Sequence, residues 1–208
     1  MHPLQRKTVF RYSLIALSVI LGAVIRFWNF DSYEVPYVVA LQRAAIAANL
    51  MGFFQLYAHI GDTIVWIALA LLLFAFYWKR PRKPIKFFLF LCVVAVVTTT
   101  LRFLFPRPRP YAAFPSQVQD FIYEAIPSYP SGHMTPAAGG FYLLANHSRT
   151  LYVLYGALAV LLGLSRIAAG THYFTDVIGA VLFSYPIAAI IDDMKLFERF
   201  KDRQIGEL

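Results

Sequence analysis

The sequence predicts an all-α integral membrane protein: a bundle of six transmembrane helices with an amphipathic interfacial helix between spans 1 and 2. Three observations predict it. Of 208 residues, 59% are hydrophobic and only 14% are charged, too apolar for an ordinary soluble domain of this size. The polar residues bunch at the ends of apolar runs instead of spreading over a surface. With six spans, the basic loops all fall on one side, as the positive-inside bias requires. The length suits one domain over residues 1–208, with no linker, low-complexity stretch or internal repeat.

A membrane helix needs about 20 mostly apolar residues. Span 1 runs over Tyr12–Phe30, behind Arg6, Lys7 and Arg11. It resembles a signal peptide but ends in Arg26-Phe27-Trp28-Asn29 without a small-x-small cleavage site, so it reads as a retained span. Pro36–Gln55 then carries Gln42, Arg43 and Asn49 among apolar residues, the pattern of an amphipathic helix lying in the interface, with a short re-entrant segment as the alternative. Span 2 is Ile60–Trp78, followed by Lys79, Arg80, Arg82, Lys83 and Lys86. Span 3, Lys86–Phe105, holds the single cysteine, Cys92, which excludes an internal disulfide or a thiolate metal site. Span 4, His133–Ala145, is short, and Gly139 and Gly140 in it permit close helix contact. Spans 5 and 6 are Leu151–Ala169 and Phe174–Ile191.

The formal net charge is +8. Topology and anionic headgroups use most of the basic residues, and nucleic acid is not an expected partner. The N-terminal tail, the loop after span 2, Arg149 and the C-terminal Lys195, Arg199, Lys201 and Arg203 place both termini in the cytoplasm. The polar motifs then fall on the extracytoplasmic face.

Arg102 ends span 3, and Pro106, Pro108 and Pro110 force Arg107 and Arg109 into extended backbone. Guanidinium forks so placed suit phosphate oxygens, although a basic loop on headgroups has the same composition. Tyr129-Pro130-Ser131-Gly132-His133 opens span 4, where free N–H groups and the helix dipole make an anion site; Ser131 could equally be a simple N-cap. Ser165 and Arg166 end span 5, and His172 and Asp176 share a helical face, so that the carboxylate can fix the imidazole tautomer. Ionisable groups near a bilayer are expensive, so their concentration marks a functional site.

Arg102-x6-Arg109-Pro110, Pro130-Ser131-Gly132-His133 and Ser165-Arg166-x5-His172-x3-Asp176 resemble, in order and spacing, the signature of the type 2 phosphatidic acid phosphatase family. The resemblance covers Arg102 to Asp176, within a motif-bearing core of residues 100–192. One departure is Arg102, where the family usually has Lys; charge is kept but the fork differs. The resemblance implies a six-helix lipid phosphatase with His172 as nucleophile, Asp176 orienting it and His133 as proton donor. It implies that Arg102, Arg109, Arg166, Ser131 and the Gly132 N–H hold the phosphate oxygens. No metal or cofactor is expected, since the arginines can supply the charge and no obvious carboxylate cluster offers a metal site.

The leading substrate expected is a polyprenyl diphosphate such as undecaprenyl diphosphate, with Arg107 as a spare cation for a second phosphate. Phosphatidylglycerophosphate, phosphatidate or lipid A are alternatives. A lipid phosphotransferase on the same site, or a non-enzymatic transporter or lipid-binding module, are readings of other classes. Asp62 and His59 are read as interfacial caps, with the rim of the pocket as the alternative, Arg26 as snorkelling, His147 as lying on the cytoplasmic side, and Tyr111, Tyr123, Tyr129, Phe114 and Phe121 as an aromatic belt or as a lid or lipid-chain contact. Oligomeric state is left open.

Overall fold

In a computed structural model of the chain, residues 3–79, 81–145 and 148–194 are described. Arg80, His147 and the basic tail Lys195, Arg199, Lys201 and Arg203 lie outside the described residues. Among the described residues the regular structure is all helical: α1 Pro3–Phe27, α2 Asp31–Ala47, α3 Met51–Ala58, α4 Thr63–Phe76, α5 Arg82–Leu104, α6 Pro110–Ala113, α7 Met134–Ala145, α8 Arg149–Ala168 and α9 Phe174–Asp193.

Every apolar run expected to span folds as a helix, but their lengths differ. Four, over Gln5–Phe27, Arg82–Leu104, Arg149–Ala168 and Phe174–Asp193, are long and apolar enough to cross a bilayer. A fifth appears if α2 and Met51–Gly61, bent by 113°, count as one broken span. The runs at α4 and α7 fold as helices of 14 and 12 residues. They rise only about 21 and 18 Å against about 30 Å of hydrocarbon. The segment expected as one interfacial helix, with a short re-entrant segment as the alternative, is a bent pair, the geometry of a broken span or of that alternative. Asn49 sits at φ +56° between α2 and α3, in the left-handed region that Asn tolerates and a continuing helix does not.

Helix α9 packs mainly on α7 and α1. Phe90 and Val94 of α5, Met134 of α7, and Ala180, Phe183 and Ile187 of α9 form one buried cluster. Trp66, Ala70, Phe87, Ala137 and Leu162 join α4, α5, α7 and α8 in another. Gly139 lets α7 approach: a Cβ there would strike the Phe90 ring and lie 2.8 Å from the Ser184 carbonyl of α9. The outward faces stay apolar, with Leu71, Val96, Val153, Val160 and Ile178 exposed. Such a surface is unsuited to water and suited to lipid. The chain is a multi-pass integral membrane protein.

The two ends of the bundle differ. At one, Arg11 meets Asp193 at 2.6 Å and Lys86 meets Asp192 Oδ1 at 3.2 Å. At the other, the C-terminus of α5, the N-termini of α7 and α9 and the C-terminus of α8 bring the three motifs together. Tyr129 donates to the Ser18 carbonyl at 2.5 Å and Ser18 Oγ donates to the Gly179 carbonyl at 2.9 Å, so the loop before α7 is tied to α1 and α9.

Gly139→Ala should therefore destabilise the folded protein by about 1–3 kcal/mol, the usual result of overpacking a tight core. Gly156→Ala in α8, where a Cβ meets nothing within 4 Å, should be neutral or slightly stabilising. Unfolding midpoints in detergent check the pair.

Candidate active site

Proline chemistry builds the first wall. Arg102 stands in the last turn of α5, and the Pro-rich run after it cannot continue the helix, so Arg109 is extended at φ −74°, ψ 153°. Its side chain turns inward and is buried. Nε donates to the Ile126 carbonyl at 2.9 Å, and Nη1 donates to the Thr171 carbonyl at 3.0 Å and to His172 Nε2 at 3.3 Å. Because Arg can only donate, His172 Nε2 is the accepting nitrogen and Nδ1 carries the proton. Nδ1 lies 3.3 Å from Asp176 Oδ2, which also accepts the Tyr173 N–H at 2.9 Å. The four-residue spacing thus brings His172 and Asp176 together, with His172 just ahead of α9 rather than within it.

His133 is the second imidazole. Its Nε2 bonds Asp62 Oδ1 at 2.9 Å, and Asp62 Oδ2 bonds His59 Nδ1 at 2.7 Å. Asp62 is therefore a partner of His133, not the lone interfacial cap expected. Burial pushes His133 down to about 3, helped by Arg166 and His172 and opposed by Asp62. Burial also holds His172 well below the usual histidine range, with Arg109, Arg166 and Arg102 acting the same way. Both imidazoles are neutral near pH 7, and His172 Nε2 keeps its lone pair.

The centre of the group is a residue passed over in the sequence. Glu124 Oε2 lies 2.5 Å from Arg109 Nη2, and Oε1 pairs with Arg166 Nη2 and lies 3.9 Å from His133 Nδ1. Its carboxylate occupies the place of an anion between two guanidiniums and two imidazoles. The only carboxylates between Asp62 and Asp176 in the sequence are Asp120 and Glu124, a signal available for this residue. Arg102 is less committed: Nη2 makes one long contact, 3.4 Å, to the Pro130 carbonyl. Arg102 Nε and Arg166 Nε are buried with no acceptor among the described residues. Unpaired buried donors call for a partner.

The segment carrying Glu124 is pinned from three sides. Tyr111 Oη accepts the Glu124 N–H at 3.0 Å and donates to its carbonyl at 2.8 Å. Gln42 of α2 brackets Gln119 through N–H and carbonyl, both at 2.9 Å. Gln55 of α3 donates to the Phe121 carbonyl at 3.1 Å. Of the aromatics expected as a belt or lid, Tyr129 is instead fully buried in the core.

Ser131 and Gly132 are both in place, with different parts. Ser131 is fully buried; its N–H donates to the Asp176 carbonyl at 3.1 Å, and its Oγ accepts the Met134 N–H at 3.4 Å as a cap. Gly132 lies against Arg102, where a Cβ would displace the guanidinium. Arg107 is not the spare cation expected. It is buried, with Nε on Asp31 Oδ1 at 2.8 Å, Nη2 on Glu34 Oε2 at 2.7 Å and Nη1 on Asp176 Oδ1 at 2.6 Å. Burial works against its charge, but Asp176, Glu34 and Asp31 together hold it firmly protonated.

One ligand atom each from Glu124, His133 and His172 come within 4.8 Å of one another, a spacing a metal ion could bridge. The surroundings argue otherwise. Glu124 is already paired with two guanidiniums, and Arg102, Arg109 and Arg166 all act on His172. That field suits an oxyanion with several negative oxygens rather than another cation.

The PAP2 superfamily model matches residues 83–195. Phosphatidylglycerophosphatase B of Bacillus subtilis (strain 168) is 26% identical over 134 residues, which is 58% of this chain and 63% of that protein. The match thus spans less than two thirds of that relative's length. A solved structure of a transmembrane PAP2 type phosphatidylglycerolphosphate phosphatase from Bacillus subtilis superposes with a TM-score of 0.70 at 24% identity, over 88% of this chain and 94% of that one. The structure of LpxE from Aquifex aeolicus gives a TM-score of 0.58 at 25% identity, over 70% of this chain and 86% of that one.

Tungstate, a tetrahedral oxyanion, tests the cradle by titration calorimetry. Arg102→Gln should weaken its binding by about tenfold or more, the worth of one hydrogen bond to a charged group. Glu124→Gln should tighten it, because the competing carboxylate is gone.

Proposed function

The chain belongs to the PAP2 superfamily, and from that premise we propose that it is a membrane lipid phosphatase acting on a phosphomonoester headgroup through a phosphohistidine. The observation that carries this is the anion cradle: Arg102, Arg109 and Arg166 gathered around a neutral His172 whose unprotonated Nε2 faces them and accepts from Arg109 at 3.3 Å. In the reaction the substrate phosphate takes the place of the Glu124 carboxylate. His172 Nε2 forms a bond to phosphorus as the bond to the lipid oxygen breaks, and Asp176 stabilises the imidazolium that results. His133, held at Nε2–H by Asp62, starts neutral; the substrate phosphate, bound as its monoanion, gives its proton to the other nitrogen, Nδ1, which passes it to the leaving oxygen. His133 then takes a proton from the water that attacks phosphorus, releasing phosphate and restoring His172. The guanidiniums and the Gly132 N–H stabilise the equatorial oxygens, and Ser131 supports the turn that presents them. No metal is needed for these steps.

A lipid rather than a soluble ester is supported by an apolar groove of about 560 Å³ between α4 and α5. It is lined by Trp66, Leu71, Phe74, Phe88 and Val94 and reaches Arg102 and Gly132, so one chain can lie along it while the headgroup meets the cradle. Phosphatidylglycerophosphate leads, in keeping with the Bacillus relative's name, with phosphatidate and lipid A behind it. Polyprenyl diphosphate moves to second place. Its case used Arg107 as a spare cation, and Arg107 is committed to three carboxylates.

The whole chain is read as one domain with six crossing helices. The short α4 and α7 cross with the polar loops before them dipping below the headgroups. The cradle end is read as extracytoplasmic and both termini as cytoplasmic, because Arg11, Lys79, Arg82, Lys83, Lys86 and Arg149 gather at the opposite end.

Purified protein in detergent with EDTA should release phosphate from phosphatidylglycerophosphate faster than from undecaprenyl diphosphate, phosphatidate or lipid A. His172→Ala should lose on the order of a thousandfold or more, as expected for a nucleophile. Phosphate moved to an added lipid alcohol instead of released would identify a phosphotransferase. Activity abolished by EDTA would overturn the metal-free mechanism.

A further inference from the structure

Arg107 lies outside the cradle, yet it is the most heavily paired side chain near it. Its Nη1 donates to Asp176 Oδ1 at 2.6 Å and to Thr175 Oγ1 at 2.8 Å, and its guanidinium carbon sits 3.7 Å from the Tyr173 ring centroid. The other two nitrogens hold Asp31 and Glu34 of α2. Glu34 reaches further: Oε1 accepts the Thr175 N–H at 2.9 Å and Oε2 accepts Thr175 Oγ1 at 2.5 Å. Helix α2 thus grips the first turn of α9 directly and through Arg107.

We propose that Arg107, braced by Asp31 and Glu34, is a positioning residue that occupies Asp176 Oδ1 and so leaves Oδ2 to hold the Nδ1 proton of His172. This rests on His172 acting as the nucleophile. The two oxygens of Asp176 have separate duties: Oδ2 faces His172 and the Tyr173 N–H, and Oδ1 faces Arg107. A wholly buried carboxylate without a countercharge takes up a proton. A protonated Asp176 no longer demands the Nδ1 proton, and the long 3.3 Å contact from Arg109 Nη1 is then left to oppose a shift of that proton to Nε2, which removes the attacking lone pair. No other cation pairs with Asp176 among the described residues: Arg102, Arg109 and Arg166 stand on the other side of His172, beside Glu124 and His133.

The test uses full-length protein in detergent with ¹⁵N-labelled histidine, where the ring nitrogen shifts report which nitrogen bears the proton. Spectra of His172→Asn assign the signal. Arg107→Gln is the direct variant. Because it also strands Asp31 and Glu34, the triple variant Asp31→Asn, Glu34→Gln, Arg107→Gln accompanies it as a neutral network of similar shape. The expected result is a His172 signal that moves from Nδ1–H toward Nε2–H. With it, kcat falls about ten- to a hundredfold, typical for the loss of an outer partner that orients a histidine, while KM for the lipid stays within about threefold. Arg107→Lys, which keeps a charge but not the fork, should recover part of both.

An unchanged His172 tautomer in the folded triple variant would overturn the proposal and leave Arg107 a structural ion pair. A raised KM with unchanged kcat would overturn it in favour of direct substrate binding. If the unsubstituted protein releases no phosphate from any lipid yet the tautomer shifts, the positioning stands and the phosphatase reading falls.

Discussion

Asp176 has no exposure to solvent, yet it lies beside an imidazole that is equally buried. An unbalanced charge in that position is not tolerated: it would take a proton or expel the helix that bears it. The local architecture follows from how this one carboxylate is satisfied. The Tyr173 N–H comes from the helix terminus, the His172 ring from the loop before it, and the guanidinium of Arg107 from the Pro-rich run after α5. Arg107 then needs its own partners, and these come from α2, a segment whose sequence shows none of the three motifs. The bent pair of helices near the N-terminus is thus joined to the chemistry by charge balance rather than by contact with a substrate.

The same constraint acts on the opposite side of His172. Three arginines drawn into a low-dielectric corner repel one another and raise the cost of any positive charge on the imidazoles. Glu124 relieves this repulsion by pairing with Arg109 and Arg166. Its loop is held by Tyr111, Gln42 and Gln55, so the carboxylate is presented rather than merely nearby. On the proposed function, binding is an exchange of one anion for another, and the net affinity is the difference between two ion-pair networks. A site built this way discriminates by charge density and number of oxygens more than by charge alone.

Much of this is legible in the sequence. The apolar runs, their polar ends and the clustering of Arg102, Arg109, His133, Arg166, His172 and Asp176 follow from hydropathy and motif spacing, because short-range patterns encode helices and their termini. What escaped was long-range. Glu124 and Asp62 lie in segments without periodicity; Asp62 reaches His133 because the start of α4 packs beside the start of α7, and Glu124 because Tyr111, Gln42 and Gln55 hold its loop. Arg107 looked free because the sequence shows its charge but not the two carboxylates more than seventy positions earlier that neutralise it. The break at Asn49 is a local conformational choice that an apolar stretch does not announce. Hydropathy also overstates the length of α4, since it measures composition rather than rise.

The tie between α2 and Asp176 bears on how this sequence can drift. Arg107 is one cation shared by three carboxylates, Asp31, Glu34 and Asp176. A lineage that replaces Arg107 alone strands all three carboxylates, and one that replaces Asp31 or Glu34 alone changes how Arg107 is shared with Asp176. Neutral exchange is open only to compound changes that alter the set together. Arg107, Asp31 and Glu34 should therefore covary across descendants of this chain, and a first helix pair grafted from a relative lacking the arginine would arrive with the wrong electrostatic key.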